Sequence, residues 1–273
     1  MSEHPEILAK GKPDYTPLYK HLQQVAEVAQ VIARYLNLNQ QSAYYGAILH
    51  DIGKAHPIFQ AQIKGQRPLK PFRHEIASLF FLPLVPPEHR DAVLEMVVAH
   101  HKSVINDSKQ RGILDLIEHE PDVIEYHLGT WEEWMPFAID ILQFCGIETR
   151  DINREEAEQT IEEVLDTCEE LTTSKKGPSI WKGLLMGADY FASALIEKTE
   201  EKAGNLFQEP NLNFFNRQHP LYPLSYYPAD SDKTHTLVVA PTGAGKTDFL
   251  MRRCSGRVFY TLPFQASINA MYK

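Results

Sequence analysis

What most restricts the folding of this chain is a set of histidines and aspartates on five separate segments: His21, His50 with Asp51, His74, His100 with His101, and Asp189. An adjacent His-Asp and an adjacent His-His, joined by single ligand-type residues, supply the imidazole nitrogens and bridging carboxylate that a pair of divalent metals requires. A buried carboxylate without a partner is costly. Used together, these residues demand a fold that brings distant segments to one point, and they point to hydrolysis of phosphate esters.

The hydrophobic pattern around them is helical. Leu18, Leu22, Val25, Ala29, Ile32 and Leu36 recur at three- and four-residue steps, and the spacing predicts a helix over 18–36 that stops at Asn37. A second helix is expected over about 42–52, ending at Gly53, and a short one begins near Arg73. Pro86-Pro87 opens another that carries Val93, Val97 and His100, and a long one runs over about 180–198. Between 103 and 178 the chain turns acidic, and three readings stand: a lid, a peripheral helical layer, or a solvated face, the last being commonest. Together these elements describe a mainly α, compact all-helical domain over 1–204.

The faces of the helices carry the argument further. His21 shares a stripe with Leu18, Val25 and Val28, and Asp189 shares one with Leu185, Ala192 and Ile196, so both are expected to point into the core. His50 sits over Gly46 and Ala47, whose small side chains leave room, and His100 lies one turn after Met96 and Val97. A single inward histidine is usually a hydrogen-bonded core residue, and a single inward aspartate a brace for a neighbouring helix. The joint pattern favours metal. The other histidines, including His56, His89, His119 and His127, have no such setting and are expected at the surface.

Composition excludes some alternatives. The 273 residues are 43% hydrophobic, and no stretch reaches the roughly 18 to 20 apolar residues of a membrane span, so the chain is read as cytoplasmic with no membrane partner. Cys145, Cys168 and Cys254 are odd in number and far apart, which indicates neither a disulfide framework nor a thiolate metal site. A formal charge of -9 argues against a broad nucleic-acid-coating surface. Metals bring their own positive charge, however, and the loop with Lys64, Arg67, Lys70 and Arg73 is a candidate for backbone contacts. Oligomeric state is not legible.

The segments HLQQVAEVAQ, AILHDIGKAHPIFQ, FRHEIAS, VVAHH and GADYFASAL resemble, over about residues 15–200, the HD-domain metal-dependent phosphohydrolases. Within them they are similar to the CRISPR-associated HD nuclease-helicases of type I interference systems. The resemblance implies two ions, one held by His21, His50, Asp51 and Asp189, the other by Asp51, His74, His100 and His101. Asp51 would bridge them. Lys54 matches the family's basic residue after the HD pair and would meet the scissile phosphate, with a surface lysine in the last turn of a helix as the equal alternative. Five histidines and two aspartates suit manganese, iron, cobalt or nickel better than all-oxygen magnesium sites.

Near Gly204 the composition changes to an Asn-, Pro- and aromatic-rich linker over 205–235. Then come an expected strand at Thr236–Ala240, a Gly-rich turn, a helix from about Lys246 to Arg253, and a second strand at Arg257–Thr261, the opening of a parallel α/β domain over 236–273. The turn reads APTGAGKT. Its backbone N–H groups at Gly243, Ala244 and Gly245 can wrap triphosphate oxygens, while Lys246 reaches the β and γ phosphates and Thr247 holds magnesium. Ala240 at the first position and TLPFQASINAMY downstream resemble superfamily 2 helicases, and Gln218 is a weak candidate for adenine recognition. The sequence stops at Lys273, ahead of any acidic motif or second lobe, so the helicase part is expected to be truncated.

A motor behind a hydrolytic centre implies a polymer substrate. The resemblance implies cutting of single-stranded DNA after a crRNA-guided surveillance complex has opened the target, with ATP and magnesium serving the helicase part of the full-length protein. Two other classes stay open: a phosphohydrolase or phosphodiesterase acting on nucleotides or cyclic dinucleotides, and a non-catalytic binding module.

Overall fold

Helix α1 (Leu18–Tyr35) forms on the apolar stripe and buries it from Leu18 to Ile32, leaving the C-cap Leu36 half-buried, with His21 enclosed among Leu18, Leu22, Val25 and Val28. It ends where expected. Asn37 turns to a left-handed φ of 56° and Leu38 N–H donates back to Ala33 O at 2.8 Å, closing the last turn. The computed structural model describes residues 3–99, 120–174, 179–208, 211–230 and 232–254. The chain divides into two compact units, Met1–Leu206 and Phe207–Lys273.

In the first unit α1 packs against α2 (Gln40–Leu49), α9 (Ile180–Leu195) and α7 (Trp131–Phe144), while α5 (Pro87–Ala99) packs on α2 and α9. Asn39 starts α2 by accepting the Gln41 and Ser42 N–H groups at 2.8 and 3.0 Å. Gly46 lets α2 and α5 approach closely, since a Cβ there would lie 2.3 Å from Met96 Sδ. The expected helix over 42–52 is shorter than its periodicity suggested. It closes at Leu49, and after Asp51 the chain tightens into a 3-10 turn, Ile52–Ala55, before α3 (Pro57–Ile63).

This turn packs against α4 (His74–Leu79) with no room to spare. A Cβ on Gly53 would sit 2.1 Å from His74 O and 2.7 Å from Ser78 N. Ser78 Oγ accepts from Gly53 N–H and donates to His50 O, each at 2.9 Å. The HD turn and the start of α4 are therefore one packed piece.

The described part of the acidic stretch, 120–174, forms a peripheral helical layer rather than a solvated face alone. It contains α6 (Glu120–Leu128), α7 and α8 (Arg154–Ser174). Glu132 and Glu133 are exposed, but Trp131 and Trp134 are fully buried beside Phe80 and Phe81. Helix α9 carries Asp189 and breaks at Ile196, whose φ is 46°, and α10 (Thr199–Ala203) closes the unit.

The second unit contains α11 (Lys246–Arg253) and 3-10 turns at Asn213–Asn216 and Pro223–Tyr226. The strand expected at Thr236–Ala240 does not form. Leu237 and Val239 are 90% and 87% exposed, and a parallel strand holds only within a sheet, of which the described residues contain none. The second expected strand, Arg257–Thr261, lies outside the described residues, as does the TLPFQASINAMY segment. No helix among the described residues is long and apolar enough to cross a membrane.

The Gly53 packing gives a paired prediction. Gly53→Ala forces a Cβ into backbone and should cost at least about 1–3 kcal/mol. Gly183→Ala, on α9 with no atom within 4 Å of the added carbon, should be neutral or stabilise by up to about 1 kcal/mol. Thermal unfolding of both variants checks this, and a Gly53→Ala midpoint equal to the parent's would contradict the close approach.

Candidate metal centre

Four segments converge on Asp51, whose side chain is 2% exposed. Its Oδ2 lies 3.1 Å from His21 Nε2, 3.2 Å from His50 Nε2 and 2.5 Å from Lys54 Nζ, and its Oδ1 lies 3.0 Å from His74 Nε2. Asp189 Oδ1 approaches His21 Nε2 from α9 at 3.3 Å. One ligand atom each from His21, His50 and Asp51 fall within 4.8 Å of one another. The structure thus brings together His21, His50, Asp51, Lys54, His74 and Asp189. His100 and His101 lie outside the described residues.

The donor chemistry fits a cation. His50 Nδ1 is 2.6 Å from Ala47 O, and a carbonyl only accepts, so Nδ1 carries the proton. Nε2 is therefore the ring nitrogen that faces Asp51 Oδ2, at 3.2 Å. With His21, Asp51 and Asp189, His50 makes a mixed imidazole and carboxylate set of the kind that suits a divalent cation.

Burial and charge pull the remaining groups in opposite directions. Burial pushes His21 down, but its contacts with Asp189 and Asp51 outweigh that and leave it above the usual imidazole value. Burial wins at His74, which is lowered despite Asp51. Burial would raise Asp189, yet the His21 hydrogen bond and the charge of His50 hold it well below the ordinary carboxylate range. Glu75, also buried, is kept at about 2 against the cost of burial by His74 and Arg73. Its Oε1 accepts from Arg73 Nε at 2.7 Å, which takes Arg73 out of the basic loop, while Lys64, Arg67 and Lys70 stay exposed.

Sequence reasoning missed the residues that hold this centre. Ser78 carried no readable signal, being a serine on a short apolar helix. His56 and His127, expected at the surface, are each 1% exposed. His56 Nδ1 accepts from Ile58 N–H at 3.1 Å and so caps α3, while Nε2 donates to Gly129 O at 3.2 Å. His127 Nδ1 donates to Val123 O at 2.7 Å, and Nε2 accepts from Arg73 N–H at 3.0 Å. The two rings stack on Phe72 with centroids 4.4 and 4.8 Å away. They fix the backbone immediately before His74. The His-Pro pair at 56–57 is a helix-start pattern that would have flagged the first of them.

In the second unit the residues expected to form a P-loop make a turn ahead of α11. Gly243 and Gly245 adopt φ values of 82° and 86°, which only glycine takes without strain. Lys246 Nζ donates to Ala240 O and Pro241 O, each at 2.9 Å. Ala244 O accepts from Leu224 N–H at 3.0 Å, and Thr247 is half-buried on the first turn of α11. Asp248 ties this helix to the preceding segment through Arg217 at 2.5 Å and Ser225 at 2.9 Å. Gln218 is exposed.

Comparison with known proteins agrees with the helical unit. The family model described as Cas3, HD domain matches residues 8–195, well over half of the chain. The chain belongs to that family and carries its metal-dependent HD hydrolase domain. It is also similar to Ribonuclease Y of Acidothermus cellulolyticus (strain ATCC 43068 / DSM 8971 / 11B), 35% identical over 107 residues. That stretch is 37% of this chain and 19% of the relative, so the chain spans about a fifth of the protein it matches. No solved structure matches.

The buried imidazoles generate an acid-stability prediction. Burial pushes His56 and His127 from 6.5 to about 4, so the fold accepts only the neutral rings. Their contribution is complete above pH 6.5 and is lost as pH falls toward 4, by at most about 3 kcal/mol each. His127→Phe keeps the stack on Phe72 but removes one titration. Urea midpoints between pH 4 and 7 should fall less steeply in the variant, and an unchanged slope would contradict the assignment.

Proposed function

We propose that this member of the Cas3 HD-domain family is a two-metal phosphodiesterase that cuts single-stranded DNA in type I CRISPR interference, a cytoplasmic role. The observation that carries the reading is a single buried carboxylate, Asp51, with imidazoles on both of its oxygens. In this reading His21, His50, Asp51 and Asp189 hold one divalent ion, and Asp51, His74, His100 and His101 hold the other. Bound there, the ions supply Lewis acidity and a water acidic enough to yield hydroxide near neutral pH.

The protein's own residues do the rest. Ala47 O fixes the His50 tautomer, so its Nε2 stays a ligand. Lys54 supplies an ammonium for a non-bridging phosphoryl oxygen. His74 and Asp189 are the more open ligands, with side chains 13% and 19% exposed against 2% for Asp51, so substrate enters from their side. A flexible single strand can bend a phosphodiester into so recessed a centre, whereas a stacked duplex is too stiff and wide. The P-loop at 240–247 fits the start of an ATP-dependent helicase part that draws the strand in, with a crRNA-guided surveillance complex as the partner that exposes it.

A second reading is cleavage of RNA, favoured by the similarity to a protein named Ribonuclease Y. Cleavage of circular single-stranded DNA, matched RNA, blunt duplex DNA and a cyclic dinucleotide, with added manganese, nickel or cobalt, separates the readings. The expected result is cutting of the DNA circle, none with chelator, and little on the duplex. Turnover of the cyclic dinucleotide or of RNA alone would replace the DNA reading. Because the proposed ligands all precede residue 190, cutting should need no ATP and survive Lys246→Ala; loss of cutting in that variant would contradict the independence of the two parts.

The bridge makes a second prediction. Asp51→Ala should abolish cutting and lower metal content at both positions, whereas His74→Ala should mainly empty one, with helical circular dichroism retained in each. Near-normal cleavage by Asp51→Ala would refute the shared-carboxylate arrangement.

A further inference from the structure

Residues 7–17 form a strap that is held by hydrogen bonds at several points along its length. Leu8 pairs with Pro17, Leu18 N–H donates to Ile7 O at 2.7 Å, and Ala9 N–H donates to Thr16 O at 2.9 Å. Gln60, buried on α3, grips Leu8 at both ends: its Oε1 accepts the Leu8 N–H at 3.0 Å and its Nε2 donates to Leu8 O at 2.8 Å. The same Nε2 donates to Lys54 O at 2.7 Å. The strap and the turn that carries Lys54 are joined through one side chain.

This strap delivers a lysine to the edge of the centre. Lys10 Nζ donates to Ser193 O on α9 at 3.2 Å, and Ser193 Oγ donates to Asp189 Oδ1 at 3.1 Å, one helical turn back. We propose that Lys10 is a substrate-contacting residue that supplies, in addition to Lys54, a second ammonium for the non-bridging oxygens of a bound phosphodiester. The proposal rests on the phosphodiesterase reading above. Ser193 takes one of the three N–H donors of an ammonium, and that partner is a carbonyl rather than a carboxylate, so the positive charge is held near Asp189 without being directly neutralised by it. Burial lowers the pKa of the half-buried Lys10, and Asp189, Lys54, Asp14 and Asp51 all act on its charge. The plain alternative is a lysine that only caps the end of α9.

The full chain, loaded with manganese, separates the two. Lys10→Met and Lys10→Arg are compared with the parent on single-stranded DNA and on bis(p-nitrophenyl) phosphate, alongside metal content and unfolding temperature. Loss of a hydrogen bond to a charged oxygen should lower kcat/KM of Lys10→Met about 10- to 100-fold on both substrates. The log-log salt slope of DNA binding should fall by about 1, metal content should be retained, and Lys10→Arg should recover most of the rate. Unchanged kinetics, or a loss that follows metal content or unfolding temperature, overturns the proposal. If the parent cuts neither substrate, the phosphodiesterase reading fails, and the affinity of the manganese-loaded chain for inorganic phosphate then decides Lys10: weaker binding in Lys10→Met supports it, and equal binding refutes it.

Discussion

Removing a carboxylate from water costs several kcal/mol unless cations or donors meet it, and Asp51 is removed almost completely. The first unit is organised around that requirement. Helix α1 brings His21, the end of α2 brings His50, the following turn brings Lys54, and α4 brings His74 to the two oxygens of one side chain. Asp189 then adds a second negative charge from α9. A purely apolar centre would have been easier to bury, so the arrangement is explained by what it can bind rather than by stability.

Placement of the imidazoles depends on contacts that carry no charge. Gly46 lets α2 come against Met96, Gly53 lets the HD turn lie on the backbone of α4, and Ser78 ties the His50 carbonyl to the Gly53 amide. These contacts hold the segments that carry the ligands in place. The stack of His56, Phe72 and His127 does the same for the segment that leads into His74. Sterics and hydrogen bonds set the positions; electrostatics then supplies the chemistry.

The helices of the first unit were legible because a buried face leaves a periodic trace, as α1 and α9 do. The inward direction of His21 came from the same trace. The exact end of α2 was not legible, since the turn at Asp51 is imposed by packing on α4. In the acidic stretch the number of glutamates hid a stripe of Trp131, Trp134, Ala138, Ile141 and Leu142, all buried. His56 and His127 were misplaced because their burial depends on a partner, Phe72, that local sequence does not identify. Thr236–Ala240 has a strand's composition, but pairing is a property of neighbours and not of the segment.

Gln60 shows how little freedom such a joint has. A side-chain amide offers one oxygen and two N–H donors, and here the oxygen serves Leu8 N–H while the nitrogen serves Leu8 O and Lys54 O. Glutamate lacks the donors, asparagine lacks the reach, and leucine of similar volume would leave backbone groups on two segments unsatisfied at once. The strap is in this sense a wall of the centre: its position is transmitted to the Lys54 turn through a rigid planar group about 2 Å across, with no slack for the two to adjust separately.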